Sequence, residues 1–267
     1  MVCCATIGPV NIHDRVLRAM NVPGQNHRDP WFAELYKSVL EDTKFVFQTR
    51  DGTPFIFPGT GTGGWEAALC NTLSPGDKVV CFRYGLFSHL WIDMMQRLGL
   101  DVTVIDCPWG EGADEGRLEE ILRKDTNKTI KAVCVVHNET TTGVTSDIHG
   151  CRQAMDAASH PALLLVDGVS SIGALDFQFD KWRVDVAVTG SQKAMSLPTG
   201  LAYVCASKKV RHATFWPLST PMHWGLPMRR LWGCGMALHA GIQCCPCIHA
   251  CSAAHGHVAW SAAVFPS

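Results

Sequence analysis

Strand-like and helix-like segments alternate along most of this chain, and that alternation limits the folds it can adopt. Short apolar runs at residues 77–82, 132–136 and 162–166 are separated by segments with helical periodicity. The clearest helical segment places apolar side chains on one face, at Phe87, Leu90, Trp91, Met94, Met95 and Leu98. This pattern predicts an α/β domain, with a mostly parallel sheet and helices on both faces. Ligands of such domains bind beyond the carboxyl ends of the strands.

The composition fits one folded domain and shows no sign of a nucleic-acid or membrane partner. The chain has 267 residues, 47% of them hydrophobic and 18% charged, with a net charge of -1. That length suits one large domain, or one domain and a fragment of another. Because basic stripes with interleaved aromatics and long apolar runs are absent from the sequence, we expect neither nucleic-acid binding nor a membrane span.

The composition changes near residue 208. From residue 212 onward the only charged residues are Arg229 and Arg230, and five of the thirteen cysteines crowd together there. Since enzyme surfaces are normally rich in Lys, Glu and Asp, we predict a domain over 1–207 and an irregular Cys/His/Trp-rich tail over 208–267. A zinc site in this tail is an alternative, but two Cys-x₂-Cys knuckles at a regular separation are absent, so we expect no metal.

A Gly-rich turn precedes one predicted helix. It consists of Thr60, Gly61, Thr62, Gly63 and Gly64, and an apolar helical pattern follows from Trp65. The start of a helix offers N–H groups and a positive dipole end to an anion such as phosphate. A flexible turn with a capping residue is the alternative interpretation.

Polar residues follow three of the predicted strands. Asp167 ends an apolar strand, where a carboxylate needs a cation or several donors, such as a protonated pyridine nitrogen. Lys193 follows the strand at 184–188, where partial burial would ease loss of its proton. The segment 137–143 could bind a ring substituent. Each feature has an alternative interpretation. Asp167 could be a helix N-cap, Lys193 could be a solvated surface lysine, and the segment 137–143 could form Asx or Thr turns.

The combination of these features favours one cofactor. An anion site, a polar loop, a buried aspartate and a strand-end lysine follow each other in that order. Pyridoxal phosphate requires a phosphate cradle, a partner for its ring nitrogen and a lysine that bonds to it covalently.

Nine short segments also carry a family resemblance, and they are residues 8–11, 27–30, 52–55, 60–63, 71–77, 137–140, 166–171, 189–194 and 197–200. Over residues 8 to about 207 the chain resembles the serine–glyoxylate and alanine–glyoxylate aminotransferases. These are class V members of the fold type I pyridoxal-phosphate enzymes, so the resemblance implies the large domain of that fold.

The resemblance implies a role for each candidate residue. Lys193 would hold the cofactor and move the substrate's α-proton, and Asp167 would pair with the ring nitrogen. The phosphate would contact Thr62, Gly63, Gly64 and Gln192. The ring would lie between Phe87 and Val169, with Thr140 near its hydroxyl group. Serine or alanine would donate the amino group, and glyoxylate, a 2-oxo acid, would accept it.

The resemblance ends near Lys209, where the family continues into a small C-terminal domain. It therefore implies that this domain is missing here, together with the arginine that binds the substrate carboxylate. The family is homodimeric and peroxisomal, but the chain ends without a Ser-Lys-Leu-type signal, so a cytosolic location is also open. Two alternatives to an active transaminase remain, namely a truncated inactive product that binds the cofactor, and another enzyme of this fold such as a cysteine desulfurase.

Overall fold

The computed structural model describes residues 8–210. Its helices, in chain order, are α1 (Asp14–Met20), α2 (Pro30–Phe47), α3 (Gly61–Thr72), α4 (Leu86–Arg97), α5 (Glu115–Lys124) and α6 (Ile148–Ala157). Its strands are β1 (Thr53–Pro58), β2 (Lys78–Arg83), β3 (Asp101–Asp106), β4 (Ile130–Val136), β5 (Asn138–Glu139), β6 (Val144–Thr145), β7 (Leu163–Asp167), β8 (Val186–Gly190) and β9 (Leu201–Ala206). The predicted segments between residues 77 and 206 are confirmed, with ends shifted by a few residues.

Seven strands form one sheet in the order β1-β9-β8-β7-β4-β2-β3. The five strands from β8 to β3 run parallel to one another, which confirms the predicted mostly parallel sheet. Strand β9 is antiparallel to both of its neighbours, β8 and β1. A parallel return would need a longer crossover, and residues 191–200 form a loop without a helix. Strands β5 and β6 pair separately as a short hairpin.

Both faces of the sheet centre are covered. All five residues of β8 are buried, and so are six of the seven in β4. Helix α3 lies very close to β8, because a Cβ atom built at Gly64 would come within 2.6 Å of Val188 Cγ1. The glycine at this position therefore permits close helix–sheet packing.

A buried ion pair joins α6 to the start of β8. The Arg152 Nη2 atom lies 2.8 Å from Asp185 Oδ2, and the side chains are only 7% and 6% exposed. The same guanidinium donates to the Arg183 carbonyl, and the Leu164 amide donates to Asp185 Oδ2. These extra bonds offset the desolvation of the two charges.

The first residues of the predicted tail continue the domain. Lys208 pairs with Asp51 at 2.7 Å, Lys209 donates to the Pro161 carbonyl at 3.0 Å, and Val210 is buried. The rest of the tail, with its candidate zinc ligands, lies outside the described residues. Within residues 8–210 no group of three or more possible metal ligands occurs, and no helix is long and apolar enough to cross a membrane.

Candidate active site

A cavity of about 200 Å³ lies where the carboxyl ends of β4, β7 and β8 meet the starts of α3 and α4. Seven of the nine predicted site residues line it, namely Thr62, Phe87, Thr140, Asp167, Val169, Gln192 and Lys193. Its walls also include Gly8, Pro9, Thr60, Gly61, Trp65, Asn138 and Ser170. The structure therefore brings together most of the residues that the sequence singled out.

Asp167, the last residue of β7, is a buried carboxyl group in the cavity wall. It is 4% exposed, and its Oδ1 atom accepts a hydrogen bond from the Val169 amide at 2.8 Å. Burial raises the pKa of Asp167 to about 6, although Val169, Trp65 and Lys193 act to lower it. Because burial outweighs the groups that stabilise this carboxylate, a cationic group of a ligand in the cavity would stabilise its charged form.

Lys193 faces the same cavity from the loop between β8 and β9. Partial burial lowers its pKa from the usual value, while the nearby Asp167 carboxylate acts in the opposite direction. A backbone segment near the N-terminus packs on this side chain. A Cβ built at Gly8 would come within 2.6 Å of Lys193 Cδ, and the Gly8 φ of +121° also favours glycine. The neighbouring Val10 amide donates to the Gln192 carbonyl at 3.0 Å.

Ser191 organises the loop that carries Lys193. Its hydroxyl donates to the Pro198 carbonyl at 2.6 Å and accepts from the Leu201 amide at 3.2 Å. Its backbone amide donates to the Leu201 carbonyl, and its backbone carbonyl accepts from the Leu197 amide, both at 3.0 Å. The hydroxyl, amide and carbonyl groups of Ser191, a buried residue, therefore hold the two sides of the loop together.

The N-terminus of α3 forms one end of the cavity. Thr60 is the residue before the helix, and a Cβ at Gly61 would lie 2.8 Å from Val169 Cγ2, so this turn packs tightly on the wall. Gly63 and Gly64 are not among the cavity-lining residues. Gly63 has open space around its α-carbon, whereas the Gly64 amide donates to Thr60 and its α-carbon faces β8.

Gln192 lines the cavity with a partly unused amide group. Its Oε1 atom is buried without a hydrogen-bond partner in the part of the chain that the structure describes. Buried amide groups are normally hydrogen-bonded, and because this oxygen is an acceptor, only a donor group could complete its bonding.

The rest of the cavity lining contains both apolar and polar residues. Phe87, near the start of α4, packs edge-on against Trp65 at a centroid distance of 6.5 Å. Val169 supplies a second apolar surface. Among the polar lining residues, the Asn138 amide donates to Ser170 Oγ at 2.9 Å, and Thr140 lies two residues further along the chain.

These groups fit pyridoxal phosphate. A helix N-terminus suits the phosphate, apolar side chains suit a flat ring, and the buried Asp167 carboxylate, which has no ion-pair partner within residues 8–210, suits a protonated ring nitrogen. The sequence predicted no ligand role for Gly8, Pro9, Trp65 or Ser170, and it included Asn138 only within the polar segment 137–143. The motif matches contained Gly8, Pro9, Asn138 and Ser170, but only the folded chain shows that they reach the cavity.

Comparison with known proteins gives a consistent family. The model of the class V aminotransferases matches residues 16–256. The chain is 59% identical over 207 residues to serine–glyoxylate aminotransferase of Arabidopsis thaliana, covering 78% of this chain and 52% of the relative. It is 55% identical over 206 residues to L-aspartate–glyoxylate aminotransferase of Paracoccus denitrificans, covering 77% and 52%.

A solved structure agrees with these matches. Ureidoglycine–glyoxylate aminotransferase from Bacillus subtilis superposes with a TM-score of 0.73 at 32% identity, covering 78% of this chain and 53% of that one. The chain thus spans about half the length of the curated relatives it matches. It belongs to the class V aminotransferases, a family whose cofactor is pyridoxal phosphate.

Proposed function

We propose that this chain carries the cofactor site of an aminotransferase that moves an amino group from serine, or alanine, to glyoxylate. The products are glycine and hydroxypyruvate, or glycine and pyruvate. The observation that carries the proposal is the meeting of Asp167, Lys193 and the start of α3 around one cavity. Relatives that act on glyoxylate support the acceptor, while their names include both serine and aspartate as donors.

Lys193 is proposed as the covalent and proton-transferring residue. Pyridoxal phosphate, when bound, supplies an aldehyde carbon for the amino group and a ring that withdraws electrons. The lowered pKa of Lys193 increases the fraction of uncharged amine, which is the form that attacks a carbonyl carbon. The same amine would serve as the base that takes up the proton of the substrate α-carbon and as the acid that gives it back.

Asp167 is proposed as the partner of the ring nitrogen. In the buried site a positive ring nitrogen would stabilise its carboxylate, and the carboxylate would in turn keep that nitrogen protonated. Phe87 and Val169 are proposed to enclose the ring, with Thr140 beside its hydroxyl group.

The phosphate is proposed to contact Thr62, Gly63, Gly64 and Gln192. Thr62 and Gln192 line the cavity, which supports their roles directly. Gly63 would contribute through its amide in the first turn of α3. The Gly64 amide already bonds to Thr60, so we propose that Gly64 mainly serves the packing of α3 on β8.

A homodimer is part of the proposal. Helix α2 exposes Trp31, Leu35 and Val39, which lie at four-residue spacing and form one apolar stripe. Such stripes on a helix are normally covered by another element or subunit. A peroxisomal location and a role in photorespiration rest only on the family resemblance of the sequence and belong to the same proposal.

Residues 8–210 give no support to the alternative of a cysteine desulfurase. A desulfurase needs a reactive cysteine that reaches the cofactor. No cysteine between residues 8 and 210 lines the cavity, and burial raises the pKa of the Cys81 thiol to about 12. Thiols held in the neutral form are poor nucleophiles.

The test is a product assay on the purified full-length chain. The chain is incubated with pyridoxal phosphate, glyoxylate and one donor, and glycine and the 2-oxo acid are measured by mass spectrometry. Serine should give equal amounts of glycine and hydroxypyruvate, and the Lys193→Ala variant should give neither. Cofactor uptake without products from serine, alanine or aspartate would instead favour the inactive, cofactor-binding alternative.

A further inference from the structure

Glu139 is a fully buried carboxylate beside the candidate active site. It is 0% exposed and lies in β5, between the cavity-lining residues Asn138 and Thr140. Like Asp167, it lies near the carboxyl end of a buried strand, but its surroundings differ. Asp167 has one short backbone donor, whereas four donors surround Glu139.

Two of those donors come from the start of α4. The Phe87 amide lies 3.3 Å from Glu139 Oε1, and the Ser88 amide lies 2.9 Å from Oε2. These amides belong to the first turn of a helix, where N–H groups have no partner within the helix. A carboxylate there also interacts favourably with the positive end of the helix dipole.

The other two donors come from Thr141 in the adjacent segment. Its amide and its hydroxyl lie 3.2 Å and 2.8 Å from Glu139 Oε1. The same hydroxyl accepts a hydrogen bond from the Leu86 amide at 3.0 Å. Glu139 and Thr141 therefore form a bridge between residues 86–88 and residues 139–141.

Close packing fixes this bridge in place. A Cβ atom at Gly85 would overlap the Glu139 side chain, so the glycine allows the carboxylate to reach under the helix. The two bridged segments carry Phe87 and Thr140, which both line the cavity.

We infer that Glu139 is a positioning residue that sets the distance between the Phe87 ring and Thr140 by joining the elements that carry them. The inference that Glu139 positions residues of a cofactor site rests on the proposed function. Glu139 also lies near enough to Asp167 for its charge to act on the pKa of that carboxyl group. The carboxylate thus affects both the shape and the charge of the site without lining the cavity.

The test compares Glu139→Gln with Glu120→Gln in the full-length chain. Glutamine keeps the size of the side chain, but it lacks the charge and has one acceptor oxygen instead of two. Glu120 is exposed on α5 and provides the matched control. Thr141→Val is a milder second variant, since it removes the bridging hydroxyl and leaves the Glu139 carboxylate.

Two measurements are made on each variant. Hydrogen–deuterium exchange without cofactor should become faster in both 85–91 and 138–143 for Glu139→Gln and, to a smaller extent, for Thr141→Val. The dissociation constant for pyridoxal phosphate should rise by about tenfold, and the visible circular dichroism of the bound cofactor should weaken. Glu120→Gln should match the wild type in both measurements.

Other outcomes would overturn the inference. Faster exchange in only one segment would show that Glu139 does not join the two elements. Lower thermal stability with unchanged cofactor affinity and unchanged visible dichroism would leave Glu139 with a purely structural role. If the wild-type chain takes up no pyridoxal phosphate, the proposed function fails, while the exchange measurement still decides whether the bridge exists.

Discussion

Asp167 and Lys193 face one cavity from the ends of neighbouring strands, and each affects the protonation of the other. The lysine lowers the pKa of Asp167, and the aspartate raises the pKa of Lys193. Burial acts on both groups in the opposite direction and is the larger effect. Burial therefore shifts both groups towards their neutral forms, and the raised pKa of Asp167 leads to the first prediction.

Replacing Asp167 with Asn should change how stability depends on pH. The pKa of Asp167 is about 6 in the folded chain, above its ordinary value of 3.8, so the folded state binds more protons between these values. Its contribution to the free energy of unfolding is therefore lost as the pH rises from about 4 to about 7. The stability of Asp167→Asn relative to wild type should rise across this range by about 3 kcal/mol.

Chemical denaturation at several pH values between 4 and 8 measures this difference. Burial lowers the pKa of His137 to about 4, so this residue makes stability increase with pH. His137 is present in both proteins, so its contribution cancels in the difference between them. Asp101→Asn, at an exposed position, is the control and should run parallel to wild type. A pH-independent difference for Asp167→Asn would contradict the assignment.

Substituting Gly61 with Ala should disturb the wall of the cavity. The new methyl group would lie 2.8 Å from Val169 Cγ2, so either Val169 or the start of α3 must move. We expect a loss of about 1–3 kcal/mol in the free energy of unfolding, together with weaker binding of pyridoxal phosphate. Gly116→Ala in α5 has room for its methyl group and should leave cofactor affinity unchanged. Equal affinities for both variants would show that this packing does not shape the site.

Ser191→Ala should loosen the loop that carries Lys193. The variant loses the hydroxyl that bonds to Pro198 and Leu201 across the loop, at an expected cost of about 1–3 kcal/mol. Limited proteolysis should cut within 192–200 faster than in wild type. Ser196→Ala is the control in the same loop, because that hydroxyl makes only a long 3.4 Å contact with Ala194. If the two variants are cut at the same rate, Ser191 does not hold the loop.

Asp185→Asn should destabilise the domain without acting on the site. It leaves the buried Arg152 guanidinium without its charged partner, which typically costs about 3–5 kcal/mol. Asp93→Asn breaks an exposed pair with Arg97 and should cost at most about 0.5 kcal/mol. Thermal unfolding distinguishes the two, and similar melting temperatures would argue against a structural role for the buried pair.

The sequence predicted the parts of the site that depend on local pattern. Asp167 and Lys193 each follow an apolar strand, and the carboxyl ends of parallel strands meet at one edge of the sheet. The antiparallel direction of β9 was not predicted, because an apolar strand has the same composition in either direction.

Other features depended on contacts between distant residues. The hydrogen bonds of Glu139 reach amides about fifty positions earlier in the chain, and no local motif indicates them. Likewise, Gly8 contacts Lys193 only because the N-terminal segment folds back on the β8–β9 loop. Such contacts become visible only when the two segments are placed in space.

The most direct measurement of the central claim is the position of the covalent cofactor adduct. The full-length chain is mixed with pyridoxal phosphate, reduced with borohydride, digested and mapped by mass spectrometry, alongside Lys193→Ala and the exposed-lysine control Lys181→Ala. A single dominant adduct on Lys193 is expected in wild type and Lys181→Ala, and it should be lost in Lys193→Ala. Adducts spread over surface lysines, or unchanged labelling of Lys193→Ala, would contradict it.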